Sequence, residues 1–437
     1  MSIAGVRRSP AVWLTSYGLS LLGKGIAAVV LPLLVLERTG DVLAAGVLAS
    51  VTTAASALTG LVSGLLVDRV DRRTVAVASD LLGAVSLAAL PLVDLLWGLN
   101  LGWFLLFGVL GAMIRVPGMT AQETLLPTLV RLGGTEPRRL ERWVAIRENL
   151  GNVLLLAGPG TGGLLVGMLG ATPTVLWVTA VTSVLAAMTT LVLDPRAGRI
   201  ARRAREATGG ALRAAMSDLV ASWRFLARNR LVLGATLVSA ALVAVLASLQ
   251  TTVLPAYFIE ADLPALTGLT LSALAGGGVV GSALYAALAG RVPRRVWFVV
   301  GMLGFGVGFA LVGSLAAPWL VLAAAALVGL TNAPVAAVLG VLTIEATPDA
   351  MRGRVLGAQN TLVLAAPALT GAPVAAVASA AGLGVAGIVL AALAATTAVI
   401  ALASPAFRKL EGLADPDDVG TGPDQTAPVP PVPVAGS

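Results

Sequence analysis

Long apolar runs with few or no charges decide what this chain can fold into. The stretch Gly301–Leu342 carries no charge, Ala171–Leu193 carries none, and Val12–Leu36 carries only Lys24. A helix needs roughly 20 apolar residues to cross a hydrocarbon core of about 30 Å, and these runs reach that length. Only 12% of the chain is charged while 57% is hydrophobic. A soluble domain carries roughly twice that charged fraction, and so little polar material cannot cover so much apolar surface in water. The runs predict an all-α integral membrane protein of about twelve spans, at residues 11–36, 44–66, 74–93, 101–122, 148–169, 173–193, 232–257, 266–289, 296–316, 319–342, 356–380 and 383–403. The basic stretch Met1–Pro10 leads into an apolar segment too long for a cleaved signal, so it is read as the first span, retained.

The basic residues set the orientation. Of the 29 Lys and Arg, all but Lys24, Arg38 and Arg115 fall at the termini or in even-numbered connections, which share one side of the membrane. The opposite loops hold Glu37, Asp41, Asp94, Glu260 and Asp262. By the positive-inside rule both termini are cytoplasmic, in a multi-pass protein of the cytoplasmic membrane. The pI near 10.8 is therefore a topology signal and not a mark of nucleic-acid binding. The chain contains no Cys and no His. That removes disulfides, thiolate nucleophiles, imidazole bases and most transition-metal ligands, so no cofactor or metal is expected and a membrane enzyme is disfavoured.

Four segments follow: a six-span half over 1–194, a basic cytoplasmic linker over 195–230, a second six-span half over 231–403, and a Pro-rich tail over 404–437. The linker, with Arg196, Arg199, Arg202, Arg203, Arg205 and Arg213, reads as a solvated segment along lipid headgroups. The tail, ending Pro428-Val-Pro430-Pro431-Val-Pro433, lacks the apolar residues to fold. The connection between spans two and three, Gly64-Leu-Leu-Val-Asp68-Arg69-Val-Asp71-Arg72-Arg73, returns 222 positions later as Arg291, Arg294 and Arg295, and the same offset carries Glu123 onto Glu345. Two homologous halves are the simplest origin of such a match.

These residues also resemble a known family. The Asp68–Arg73 loop is similar to the G-x-x-x-D-R-x-G-R-R signature of the major facilitator superfamily, with Asp71 where the superfamily has Gly. That position would call for a left-handed backbone, which Asp tolerates. With Ser79-Asp80 behind it, the loop resembles the branch of macrolide and siderophore exporters. Gly158-Pro159-Gly160-Thr161-Gly162-Gly163 resembles the Gly-Pro motif of superfamily exporters, and Arg352-Gly353-Arg354-Val355 the entry to span eleven. The resemblance implies two pseudo-symmetric six-helix bundles and a monomeric secondary transporter. It also implies export of a drug-like or siderophore-like small molecule by alternating access, with the proton as coupling ion. Within it, Asp68, Arg69, Arg72, Arg73, Asp80, Arg291, Arg294 and Arg295 would form a latch. Arg69, Arg72 and Arg73 would pair with Asp80, Glu123 and Glu148 when the cytoplasmic side closes. The alternative for any one of these arginines is that it only obeys the positive-inside rule.

Inside the membrane, Lys24 stands out. A Lys at mid-span costs roughly 2.5–3.5 kcal/mol on insertion scales, so it should face a wet cavity, either to bind substrate or to be satisfied by water and carbonyls. Arg115, Tyr17, Ser20, Gln250, Thr251 and Asn332 complete a candidate lining. No carboxylate is expected at the midplane, which leaves Glu123, Glu148 and Glu345 as candidates for proton coupling beside Asp68 and Asp80. Rival functions are an importer of a small anionic solute, drawn by Lys24 and Arg115, and a lysophospholipid or lipid flippase.

Overall fold

The computed structural model describes residues 3–67, 70–132, 137–198, 222–288, 291–348 and 352–407. Its long helices are α1 (Ile3–Thr39), α2 (Val42–Val67), α3 (Arg72–Trp97), α4 (Leu101–Leu132), α5 (Pro137–Leu169) and α6 (Val175–Val192). They continue with α7 (Arg230–Glu260), α8 (Ala265–Leu288), α9 (Arg294–Gly313), α10 (Pro318–Glu345), α11 (Arg352–Ala381) and α12 (Leu383–Ala403). Each is long and apolar enough to span a bilayer, and no strand occurs among the described residues. The span boundaries read from hydropathy fall short at the basic end. Helix α4 runs on to Leu132 and α5 begins at Pro137, because helix formation does not stop where lipid does and the start of α5 is rich in Arg. Asp68, Arg69 and most of the central linker and tail lie outside the described residues.

The packing repeats six helices on. Helix α3 packs on α4 and α6, and α9 on α10 and α12; α2 packs on α4, and α8 on α10; α1 packs on α5, and α7 on α11. The halves meet along two equivalent pairs, α2 with α11 and α5 with α8. Arg72 opens α3 and Arg294 opens α9, so the 222-residue offset holds at the start of the third helix of each half. It lapses further on: Glu345 ends α10, whereas Glu123 lies inside the longer α4.

The two ends of the bundle are built differently. At the end opposite the termini, each of the six connections contains one residue of positive φ: Gly40, Gly98, Gly170, Asp262, Leu315 and Gly382. A left-handed residue turns the chain within a few positions, and glycine does so without strain. At the basic end, Asp71 does not adopt the left-handed conformation expected for it; its φ is −50°. It is instead the N-cap of α3, accepting from the Thr74 amide (3.0 Å) and hydroxyl (3.2 Å). A carboxylate there satisfies an otherwise orphaned helix N–H and meets the positive end of the helix dipole.

The seam between the halves is closed from mid-bundle to the end away from the termini. A Cβ on Gly46 of α2 would lie 2.7 Å from Gly371 O of α11, and one on Gly163 of α5 would lie 2.9 Å from Gly268 Cα of α8. Ser50 Oγ accepts from the Ala372 amide (2.8 Å), and Ser272 Oγ donates to Leu156 O (2.6 Å). Helix α1 meets α7 through the latter's π-helical stretch Leu249–Val253 and the turn after it. There Val29, Val30, Leu33, Leu34 and Val35 of α1 are wholly buried. Small residues that let backbones approach are the usual adhesive between membrane helices, where lipid supplies no hydrophobic drive to associate. The glycines of α8 and α9 act so in part. Gly277 and Gly281 abut α10, as do Gly301, Gly304 and Gly308, but Gly306 faces open space.

Candidate functional site

Enclosed mainly by α1–α4 and α6 is a cavity of about 300 Å³, within the range of small-molecule sites. Three helix faces supply most of its wall at helical spacing: Ser20, Lys24, Ala27 and Leu31 of α1; Ser79, Asp80, Gly83 and Leu87 of α3; Gly108, Gly111, Arg115 and Met119 of α4. From the second half it receives Thr251, in the π-helical stretch of α7. The chemistry is graded along its length. Toward the basic end lie Lys24, Asp80 and Arg115, and toward the closed end lie Leu31, Leu48, Leu90, Phe104 and Phe107.

Asp80 is the surprise of the site. Sequence reasoning placed it in a cytoplasmic latch and expected no carboxylate near Lys24. Asp80 is in fact buried, lines the cavity and stands within electrostatic reach of Lys24. The offset from the helix start explains the misplacement: eight residues beyond Arg72, at 1.5 Å per residue, Asp80 sits about 12 Å into α3. Its two oxygens are held separately, Oδ1 by the Ser20 hydroxyl (3.2 Å) and Oδ2 by the Gln122 amide (3.0 Å). Gln122 is itself buried, and its backbone carbonyl accepts from Trp13 Nε1 (3.0 Å). Hydrogen bonds to a charged partner contribute about 1.5–3 kcal/mol, so Asp80 is oriented by α1 and α4 together. A close α3–α4 crossing makes this possible: a Cβ on Gly118 would lie 2.8 Å from Ser79 Oγ. Gln122 went unnoticed in the sequence; its signal was a lone amide three to four residues, about one turn, past Gly118 and Met119 on the lining face of α4.

Lys24 and Arg115 line the same space, and no carboxylate lies within ion-pair distance of either among the described residues. Arg115 is accessible, and its place in the lining shows that this access is to the lumen. Thr179 Oγ1 adds a buried hydroxyl with no hydrogen-bond partner.

Ser20 and Thr251 also line the cavity, whereas Tyr17, Gln250 and Asn332 do not. Tyr17 stacks on Trp13, ring centroids 5.1 Å apart, one turn toward the basic end and within electrostatic reach of Arg147, Glu123 and Glu148. Glu123 and Glu148 are exposed near the basic end, and Glu148 pairs with Arg147. Among the described residues Arg73 pairs with no acid; it donates to the carbonyls of Thr190 and Leu191 in the last turn of α6, the negative end of that helix. Its counterpart region behaves otherwise. Arg294 grips Glu345 with two bonds of 2.7 and 2.9 Å, tying α9 to α10 inside one half. Arg291 and Arg295 are exposed.

The Gly-Pro motif has a concrete role in this geometry. Gly158 lets α5 touch α1 beside Lys24, a Cβ on Gly25 falling 2.7 Å from Gly158 Cα. Pro159 and Gly163, one turn on, carry the contact with Gly268 of α8. One short segment therefore joins the cavity wall to the seam.

Comparison with known proteins agrees with this architecture. The profile of the Major Facilitator Superfamily matches residues 13–287. The chain is 30% identical over 348 residues to the multidrug efflux pump Tap of Mycolicibacterium fortuitum, covering 79% of this chain and 83% of that one. It is 29% identical over 395 residues to Tap of Mycobacterium tuberculosis strain H37Rv, covering 89% and 91%. Among solved structures, the nucleoside transporter NupG superposes with a TM-score of 0.70 at 13% identity over 93% of this chain and 100% of that one. A D-xylose-proton symporter superposes with a TM-score of 0.69, again at 13% identity, over 91% and 98%. At that identity the two structures speak for the fold alone. With the family profile, the Tap relatives and the twofold six-helix architecture in agreement, this chain belongs to the Major Facilitator Superfamily and is a multi-pass secondary transporter.

Proposed function

We propose that the chain exports small, drug-like molecules by alternating access, exchanging them for protons, with the basic end in the cytoplasm. The observation that carries this reading is the placement of Asp80, Lys24 and Arg115 in a cavity whose far side is sealed by the α2–α11 and α5–α8 seam. The sealed end is the one with the tight turns and few charges, so the conformation faces the side that the positive-inside rule assigns to the cytoplasm. Similarity to multidrug efflux pumps over most of both chains supports export.

Asp80 is the residue suited to carry the proton. It is the carboxylate of the cavity wall, and with no histidine in the chain no imidazole can substitute for it. Ser20 and Gln122 hold it in place in either protonation state, because both side chains can donate or accept. Lys24 makes its ionised form tolerable in a low-dielectric setting, while loss of that charge on protonation weakens the link between α1 and α3. The Gly-Pro segment of α5 then relays a change at the cavity wall to the seam. The test is reconstitution into vesicles with an imposed pH gradient and a panel of fluorescent dyes and antibiotics. Gradient-driven accumulation against concentration, lost in Asp80→Asn at equal insertion, is the expected result. Movement that ignores the gradient overturns proton exchange, and movement that follows the proton overturns export in favour of uptake of an anionic solute.

A further inference from the structure

The cavity holds both signs of charge, and the arithmetic of coupling restricts what it can exchange for a proton. Three classes of small amphiphile can be set against Lys24, Arg115 and Asp80. A simple anion would sit on Lys24 and Arg115, and it would bind better once Asp80 is protonated, because the repelling carboxylate is then gone. Anion and proton would therefore favour each other and travel together, which is the opposite of exchange. A simple cation would compete with the proton for Asp80, as exchange requires, but it would approach through the field of two fixed cations. Like charges repel strongly in a site of low dielectric. A zwitterion escapes both objections. Its acidic group neutralises Lys24 and Arg115, and its ammonium takes the place of the proton on Asp80.

We infer that the substrate class is zwitterionic amphiphiles, bound with an anionic group between Lys24 and Arg115, an ammonium on Asp80 and an apolar body against Leu31, Phe104 and Phe107. This rests on the proposal that the cavity is the transport site and that exchange is with protons. The layout of the wall supports it independently of that proposal. The charged groups sit toward the basic end and the apolar ones toward the sealed end, so an elongated ligand has one preferred direction. The second half, through Thr251, contributes no charge.

The experiment uses three probes with one apolar body: 3-(1-pyrenyl)alanine as zwitterion, 1-pyrenebutyrate as anion and 1-pyrenemethylammonium as cation. Each is titrated by fluorescence against the full-length protein in nanodiscs. The expected order is the zwitterion at least tenfold tighter than either single-charge probe. Asp80→Asn should weaken the zwitterion about tenfold and tighten the butyrate. Lys24→Met and Arg115→Met should weaken both acids and leave the ammonium unchanged or improved. Gly83→Leu is the control for place. Gly83 lines the cavity and a Cβ there meets nothing within 4 Å, so a larger side chain fills the lumen without a backbone clash. If Gly83→Leu leaves all three probes bound as before, the cavity is not the site and the function proposed above fails with it. If Gly83→Leu abolishes binding but the wild type prefers the anion or the cation, the cavity stands and the zwitterion inference is overturned.

Discussion

The two halves share a scaffold and divide the labour. In the first half, Lys24, Asp80 and Arg115 line a cavity, and Arg73 is spent on the carbonyl end of α6. In the second half, α8, α9 and α10 are drawn together by glycines, Arg294 and Glu345 clamp α9 to α10, and Thr251 is what reaches the cavity. A duplicated fold thus retains its packing while its polar groups diverge, since helix-to-helix geometry depends on small residues at crossings and cavity chemistry depends on a few side chains that packing does not need. The consequence is that substitutions should fail in different ways, those in the cavity wall of the first half through chemistry and those at the seam or in the second half through rigidity.

The sharpest break of that contrast is Asp80→Asn. It preserves shape and hydrogen bonding to Ser20 and Gln122 but cannot exchange a proton, so proton-driven transport should fall at least a hundredfold while gradient-free binding of the zwitterionic probe weakens only about tenfold; vesicle uptake and nanodisc titration measure the two separately. At the seam, Gly163→Leu should be nearly as damaging for a mechanical reason. Its Cβ would lie 2.5 Å from Ala265 O, so the halves cannot close, and transport should drop by an order of magnitude or more, with a cysteine pair across α5 and α8 cross-linking poorly. Next comes Lys24. Lys24→Met should reduce transport about tenfold and Lys24→Arg about threefold or less, because the charge is retained although its shape changes; equal activity of Lys24→Met and wild type would remove Lys24 from the site. Gln122→Ala releases one oxygen of Asp80 and should cost a few-fold in rate, with the pH profile displaced, whereas a purely structural Gln122 would lower the yield and leave the profile where it was. The smallest effect is expected in the second half: Arg294→Gln breaks a pair about one-third exposed, worth about 0.2–1 kcal/mol, and should shift Tm by about a degree or less with transport within twofold.

Much of this was legible in the amino-acid sequence, and the boundary of legibility is physical. Apolar run length gave twelve spans because lipid thickness fixes it. The repeat of Arg72 and Arg294 gave the halves because both open equivalent helices. Depth within the membrane was harder. Asp80 was assigned to the surface because it follows a basic loop closely in sequence, although two turns of helix carry it well inside. Gln122 was invisible because an amide on α4 means nothing until Asp80 is placed opposite it. Asn332 and Gln250 were named for polarity alone, and polarity does not say which side of a helix faces the lumen. Asp71 was misread because the superfamily's glycine suggested a left-handed backbone, while an N-cap serves the same junction with ordinary dihedrals.

The six left-handed turns at the end away from the termini have a consequence for how such a protein meets its surroundings. Their connections are a few residues each, and some of the flanking positions are tied down, as where Arg38 of α1 bonds Asp94 of α3 at 2.6 Å. With that end outermost, a cell carrying many copies shows almost no peptide on its exterior. A protease added outside intact cells would find nothing long enough to thread into its active site, and an antibody would find no epitope beyond isolated bends.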